Sequence, residues 1–273
     1  MSELSMTPQV FVILSGLIEE RLGLWYGLSD KALLESKLSA RMLELGVDSA
    51  LDYYYLLRYD DPAGSELALL TESLVVNETY FFREYDQLQV VLARFVEPLA
   101  RARRKPRVWC AACATGEEPY TIAFWLAERG LLDHVQLMAS DVSDRVLAVA
   151  RAGQYRARSL RQVPADVDPW RWLCRAGDTW VVDPEICAAI EWRRVNLMEE
   201  SAVIAMGSVD VIICRNVLIY FRDDVVRRTV RWLADRLLPG GLLLVGVTES
   251  PLRLGTDLVC QEHGRAFVYR KMP

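Results

Sequence analysis

From Thr7 to about Ala102 apolar residues recur at three- and four-residue steps, the period of amphipathic helices. Leu14, Leu17, Ile18 and Leu22 form the first stripe, and Gly23 stands where that helix should stop. Ser29 and Asp30 open a second helix with Leu33, Leu34, Leu38, Met42 and Leu45 on one stripe, ended by Gly46. Asp48 is placed to cap a third helix through Leu57, and Asp60-Asp61-Pro62-Ala63-Gly64 is a break with turn chemistry. Two further helices are predicted at about 66–75 and 86–101. The reading is a helical domain over 1–85, followed by a linker helix and basic linker over 86–106.

Beyond that point short apolar runs alternate with helical patterns. Strands are predicted at 108–111, 135–140, 189–195, 209–214 and 242–247. Helices are predicted at 119–129, 143–152 (with Ser143 as N-cap) and 223–237. Pro239-Gly240-Gly241 reads as a turn before the last strand. Strands of this kind imply βαβ units and a parallel sheet covered on both faces, hence an α/β domain over 107–273. The run Arg101-Ala102-Arg103-Arg104-Lys105-Pro106-Arg107 separates the two patterns. It reads as a solvated linker, with contact to an acidic partner as the alternative.

Composition narrows the class. The chain has 273 residues, 52% hydrophobic and 25% charged, enough apolar material for a sizeable core. Lys and Arg number 32 against 37 Asp and Glu, a net charge of −5, which argues against a nucleic-acid partner. Glu19, Glu20 and Arg21 interrupt the N-terminal apolar stretch well short of the ~20 residues that span a bilayer. No membrane insertion is expected, and a cytoplasmic, reducing location follows from the sparse cysteines. Cys110 and Cys113 form a CxxC, but with only His134 and His263 elsewhere a zinc or redox site is not expected. Cys174, Cys187, Cys214 and Cys260 read as small core residues.

In a parallel sheet the ligand sits beyond the carboxyl ends of the strands, where the strand order reverses. After the first strand comes Ala112-Cys113-Ala114-Thr115-Gly116-Glu117-Glu118, small residues with a glycine for a tight turn. One glycine is too few for the dinucleotide fingerprint, and Glu117 and Glu118 would repel a pyrophosphate. They suit a cationic nucleoside such as S-adenosylmethionine, or they simply decorate a helix N-terminus. Asp141 after the second strand suits ribose hydroxyls or caps the following helix. Asn196-Leu197 after the third suits an adenine edge and face, and Arg215-Asn216 follows the fourth.

Taken together, Asn77-Glu-Thr-Tyr-Phe-Phe-Arg83-Glu84, the block from Val108 to Tyr120, Ala139-Ser-Asp141, Ile213 to Phe221, and Leu238-Pro-Gly-Gly-Leu with Thr248-Glu249-Ser250 resemble the CheR-type chemotaxis receptor methyltransferases. The resemblance runs from about residue 10 to the C-terminus. It implies a Rossmann-like class I methyltransferase sheet and a protein-glutamate O-methyltransferase. Such an enzyme converts S-adenosylmethionine to S-adenosylhomocysteine while esterifying receptor glutamates. Carried over by motif, the cofactor residues are Asn77, Thr79, Arg83, Glu117, Asp141, Asn196, Leu197, Arg215 and Asn216. The first three would close over the cofactor from the N-terminal side. Arg83 and Tyr220 are the expected catalytic residues, positioning the incoming carboxylate, although Tyr220 could equally be a packing aromatic.

The partner implied is the cytoplasmic signalling helices of a chemoreceptor, met by a monomer. Lys37 and Arg41, four apart on the second helix, are candidates to touch it, or else form a solvated face; residues 1–76 hold more acids than bases. The insertion at 154–190 is expected to be a small antiparallel subdomain with strands at 172–175, 179–182 and 186–189. Its first turn is tight, so direct recognition of the methylation helices is expected rather than capture of a receptor tether. A cofactor-sensing adaptor without turnover, and methylation of a small carboxylic acid, are the competing functions.

Overall fold

The computed structural model describes residues 5–249 and 257–272. The chain forms two compact units, Met1–Val76 with Tyr220–Val225, and Asn77–Ile219 with Val226–Pro273.

The first unit is helical. Helix α1 (Pro8–Leu22) begins with proline in its first turn, where no N–H is required, and Thr7 Oγ1 accepts from Val10 N at 3.3 Å. Gly23, at φ 75°, ends it in the left-handed conformation that glycine adopts without strain. Helix α2 (Lys31–Leu45) buries Leu34, Leu38 and Met42, while Leu33 and Leu45, expected on the same stripe, are exposed. The buried stripe is a single ridge of three residues spaced four apart, narrower than the pattern suggested. Helix α3 (Ala50–Tyr55) is capped by Ser49, whose Oγ accepts from Asp52 N at 3.3 Å, rather than by Asp48. Helix α4 is Ser65–Leu74.

The second unit starts at Asn77 instead of residue 86. Phe81, Phe82 and Tyr85 are buried in one core with the sheet residues Val108, Leu137 and Val211, and each such burial contributes about 1.5–3 kcal/mol. The next helix is not continuous: α5 (Tyr85–Val91) and α6 (Glu97–Arg101) are separated by a π turn at Leu92–Val96, immediately before Pro98. Proline lacks the N–H that an unbroken helix would need there.

Ten strands follow. They are β1 (Arg107–Ala111), β2 (Gln136–Asp141), β3 (Gln154–Arg156), β4 (Leu173–Ala176), β5 (Thr179–Val182), β6 (Ile190–Arg194), β7 (Val209–Cys214), β8 (Leu237–Leu244), β9 (Leu258–His263) and β10 (Ala266–Lys271). Seven form one sheet in the order β6-β2-β1-β7-β8-β10-β9, parallel except for β10, which runs against both neighbours. Helices α7 (Glu117–Glu128), α8 (Asp144–Ala152), α9 (Pro184–Ala188), α10 (Glu200–Ile204) and α11 (Asp223–Arg236) complete the chain. The strand order reverses between β1 and β7.

The expected turn at Pro239-Gly240-Gly241 lies inside β8, where the register with β7 shifts between Val209 and Val211. A Cβ on Gly241 would stand 2.8 Å from the Asp210 carbonyl oxygen, so glycine is what lets the irregular strand pair. The strand ends at Leu244, short of residue 247, and Ser250 lies outside the described residues. In the insertion, β3, β5 and β4 make the small antiparallel sheet, β4 and β5 joined across Gly177-Asp178. The strand expected at 186–189 is instead helix α9: Asp183 accepts from Glu185 N at 2.8 Å and Pro184 sets the first turn. Among the cysteines, Cys110, Cys113 and Cys214 are buried. Cys187 is half-buried and packs against the core, whereas Cys174 is exposed and Cys260 half-buried, so these last two are not core residues.

Candidate active site

Because β6, β2, β1 and β7 are adjacent and parallel, their carboxyl ends share one edge. The β1 end turns sharply. Ala112, Ala114 and Gly116 all have positive φ, at 55°, 48° and 92°. Two alanines in this region are strained by about 1–2 kcal/mol each, and tertiary hydrogen bonds hold them. Cys113 N donates to Ser140 O at 2.9 Å and Ala114 N donates to Asp141 Oδ2 at 2.9 Å. Packing requires a glycine at position 116. A Cβ there would lie 2.8 Å from Ala150 Cβ and 2.9 Å from the Trp192 ring.

Asp141, at the end of β2, is buried and also accepts from Ser143 N at 3.0 Å. Ser143 is itself the cap of α8, its Oγ accepting from Val146 N at 3.1 Å. Asp141 therefore ties the β1 loop to the β2 loop instead of capping the helix. Beyond β6, Asn196 Oδ1 accepts from Met198 N at 3.0 Å, and Leu197 is buried.

Helix α7 opens with two acids, Glu117 buried and Glu118 half-buried. Glu117 accepts from Thr115 Oγ1 at 2.7 Å and from Ser159 Oγ at 2.9 Å, and burial raises its pKa above the usual carboxylate value. Glu118 lies 2.7 Å from Arg215 Nε. Burial pushes its carboxyl up, and the Arg215 charge only partly offsets this.

Arg215 is the hub. Its guanidinium donates to Arg83 O at 2.6 Å and to Glu84 O at 3.3 Å, and the Glu84 carboxylate stands 3.9 Å away. Asn216, at φ 60°, donates from Nδ2 to Glu84 Oε1 at 3.3 Å. The Asn77–Glu84 segment thus meets the strand ends through its last two residues. It is anchored from below: Phe81 N donates to Ser159 O and Phe82 N to Thr121 Oγ1, while the Phe81 ring stacks on Phe124 and meets Tyr155 edge-on at 4.8 Å. Arg83 is half-buried and donates to Glu78 O at 2.8 Å; Asn77 and Thr79 are half-buried in the same segment.

Glu84 is absent from the sequence-based site, and Glu118 enters it only as an acid suited to a cation, not among the residues carried over by motif. Both stand beside residues that were carried over, so the signal was a motif neighbour with a charge. Their two carboxylates face one guanidinium, and Glu84 Oε2 is buried without a hydrogen-bond donor. A surplus acceptor of this kind fits a cationic ligand and opposes a phosphate.

Three selected residues lie in the helical unit. Tyr220 ends the short 3₁₀ turn Leu218–Tyr220, and its carbonyl accepts from Trp25 N at 2.9 Å. Lys37 and Arg41 do not form a free basic face. Lys37 Nζ donates to Leu74 O at 2.7 Å, capping α4, and burial lowers its pKa. Arg41 pairs with Glu44 and with buried Glu66, which also accepts from Tyr53 OH at 2.6 Å. Both cations are committed to holding the helices together. In the basic linker, Arg107 N donates to Asp210 Oδ2 at 2.8 Å, Arg101 pairs with Glu97, and residues 103–105 are exposed. Among the described residues no cluster of His, Cys, Asp or Glu could hold a metal ion, and no helix is long and apolar enough to cross a membrane.

A parallel sheet whose order reverses between β1 and β7, one reversed strand beside its far edge, and an acid-rich rim define a Rossmann-like class I methyltransferase. The chain belongs to the CheR methyltransferase family: residues 77–260 match its "SAM binding domain" and residues 10–75 its "all-alpha domain". It is 31% identical over 261 residues to chemotaxis protein methyltransferase 2 of Vibrio cholerae, covering 94% of this chain and 90% of that one. With chemotaxis protein methyltransferase 2 of Pseudomonas aeruginosa it shares 37% identity over 229 residues, covering 81% and 79%. The protein is an S-adenosylmethionine-dependent methyltransferase of chemotaxis.

Proposed function

We propose that this enzyme transfers the methyl group of S-adenosylmethionine to glutamate side chains on the cytoplasmic signalling helices of a chemoreceptor, working as a cytoplasmic monomer. The observation that carries the reading is the charge at the strand ends. Glu84, Glu117, Glu118 and Asp141 stand against Arg83 and Arg215, and Glu84 Oε2 is buried without a donor. Relatives over nine-tenths of the chain named as chemotaxis methyltransferases support the receptor substrate.

In this reading the donor is held by Asn77, Thr79, Arg83, Glu117, Asp141, Asn196, Leu197, Arg215 and Asn216, with Glu84 supplying further negative charge. When bound, the donor supplies an electrophilic methyl group on a sulfonium. A glutamate carboxylate is already ionised near neutral pH, so the chain needs no general base. Its work is to hold the nucleophile in line and to strip its water, which stabilises the separated charges more than the transition state. Arg83 and Tyr220 orient the incoming carboxylate. Arg83 shares its guanidinium with the Glu78 carbonyl, so it need not grip the nucleophile as a full ion pair.

The test is incubation with methyl-labelled donor and the cognate receptor, followed by alkali. Volatile labelled methanol is expected, because glutamate methyl esters are base-labile; none released from a receptor that binds the enzyme would refute the reaction. Arg83→Ala should lower turnover at least a hundredfold with little loss of folding stability. Unchanged receptor signalling by that variant would favour a non-catalytic adaptor.

A further inference from the structure

Just beyond β8, Glu249 is a buried carboxylate in an unusual position. Its Oε2 accepts from Asn216 N at 2.8 Å and from Gly246 N at 2.7 Å. Its Oε1 accepts from Leu218 N at 2.7 Å and from Ile219 N at 3.3 Å. One side chain therefore satisfies four backbone donors from the loops that leave β7 and β8. Leu218 and Gly246 are buried, and leaving their N–H groups unpaired would cost about 1–3 kcal/mol each.

The surroundings are shaped for this contact. A Cβ on Gly246 would lie 2.8 Å from Glu249 Oε2, 2.8 Å from Asn216 Nδ2 and 3.1 Å from Asn216 N, so only glycine leaves room. Glu249 N donates back to Gly246 O at 2.9 Å, closing the turn that presents the carboxylate. Asn216 has a positive φ of 60°, tolerable for asparagine but held here by its N–H on Glu249. From there the connection continues outward. Asn216 Nδ2 reaches Glu84 Oε1, and the preceding Arg215 holds the carbonyls of Arg83 and Glu84.

We infer that Glu249 is a positioning residue for donor binding: its carboxylate sets the Arg215-Asn216 loop, and through it the Arg83-Glu84 end of the facing segment, without itself touching the donor. This rests on the functional reading above. The charge-neutral variant Glu249→Gln is the informative one, because its amide turns a donor towards two N–H groups that need an acceptor.

The experiment joins calorimetric titration with S-adenosylhomocysteine to amide hydrogen exchange on the unliganded protein. For Glu249→Gln the product should bind at least tenfold more weakly, the donor KM should rise in step, and the receptor KM should stay within twofold. In the same variant the amides of Asn216, Leu218, Ile219 and Gly246 should lose protection. Gly246→Ala, which keeps the carboxylate but displaces it, should reproduce both effects. Should Glu249→Gln fail to fold, Gly246→Ala decides alone. Binding within twofold of wild type, or unchanged protection of the four amides, overturns the assignment. If the wild-type protein does not bind the product, the methyltransferase reading fails, and the exchange data still decide the role of Glu249 in the loop.

Discussion

Replacing Arg215 by alanine removes the hub of the strand-end network. Its side chain is 2% exposed and that of its partner Glu118 13%, so the pair lies in a region that screens charge poorly. Deleting one partner of such a pair costs about 3–5 kcal/mol, because the other charge stays buried without compensation. The carbonyls of Arg83 and Glu84 lose donors as well. The loss should depend on pH, and its sign follows from Glu118. Burial already raises that carboxyl above its ordinary value of 4.5 and Arg215 pulls it down, so removing Arg215 raises it further. Near pH 4.5 a smaller share of that acid is charged in the folded variant than in the wild type, so less charge is stranded than at higher pH. As pH rises through its titration the folded variant must ionise a buried, unpaired acid, so the deficit relative to wild type grows. Urea unfolding of both proteins, once near that pH and once about three units higher, gives the two differences. Adding Glu118→Gln to the Arg215→Ala chain should restore part of the stability at the higher pH and less at the lower. A deficit below about 1 kcal/mol, or one equal at both pH values, would refute the buried-pair argument.

Glu117→Gln should leave stability equal or higher near neutrality, since burial makes the ionised form the costly one; that advantage should fade as pH falls towards 4.5, while product affinity, read by calorimetry, drops about tenfold. Gly116→Ala combines a positive φ of 92° with a Cβ contact at 2.8 Å, and thermal unfolding should show a loss of about 2–5 kcal/mol even without any ligand. Arg41→Ala strands buried Glu66 and should destabilise the helical unit by about 1–3 kcal/mol, with the KM for receptor unchanged once the protein is folded. A large rise in that KM at constant stability would restore Arg41 as a contact residue.

The strand ends were legible because parallel strands buried on both faces read as short apolar runs, and in such a sheet chemistry follows the strand. Asp141, Arg215 and Asn216 could be selected on that rule alone. Glu84 and Glu249 could not, since an acid within a motif is a solvated residue by default until its burial and partners are known; Glu118 reads as suited to a cation, and only the fold pairs it with Arg215. The same default misled in the helical unit, where Lys37 and Arg41 read as a free basic face but cap a helix and neutralise Glu66. Residues 186–189 illustrate a local conflict: the apolar pattern fits a short strand, and the Asp183-Pro184 start, a strong helix signal, decided otherwise.

By itself the sequence determined what is periodic or chemically punctuated: the stripe of α1, the runs of β1, β2 and β7, the glycine that ends α1, and the motifs that mark the family. These are local properties, set by one residue and its neighbours three or four positions away. Tertiary structure alone decided which charges are partnered. Arg215 meets Glu84 across 131 positions of chain and Glu249 meets Asn216 across 33. What a charge does depends on whether water or another group solvates it, and that is settled only once distant segments pack together.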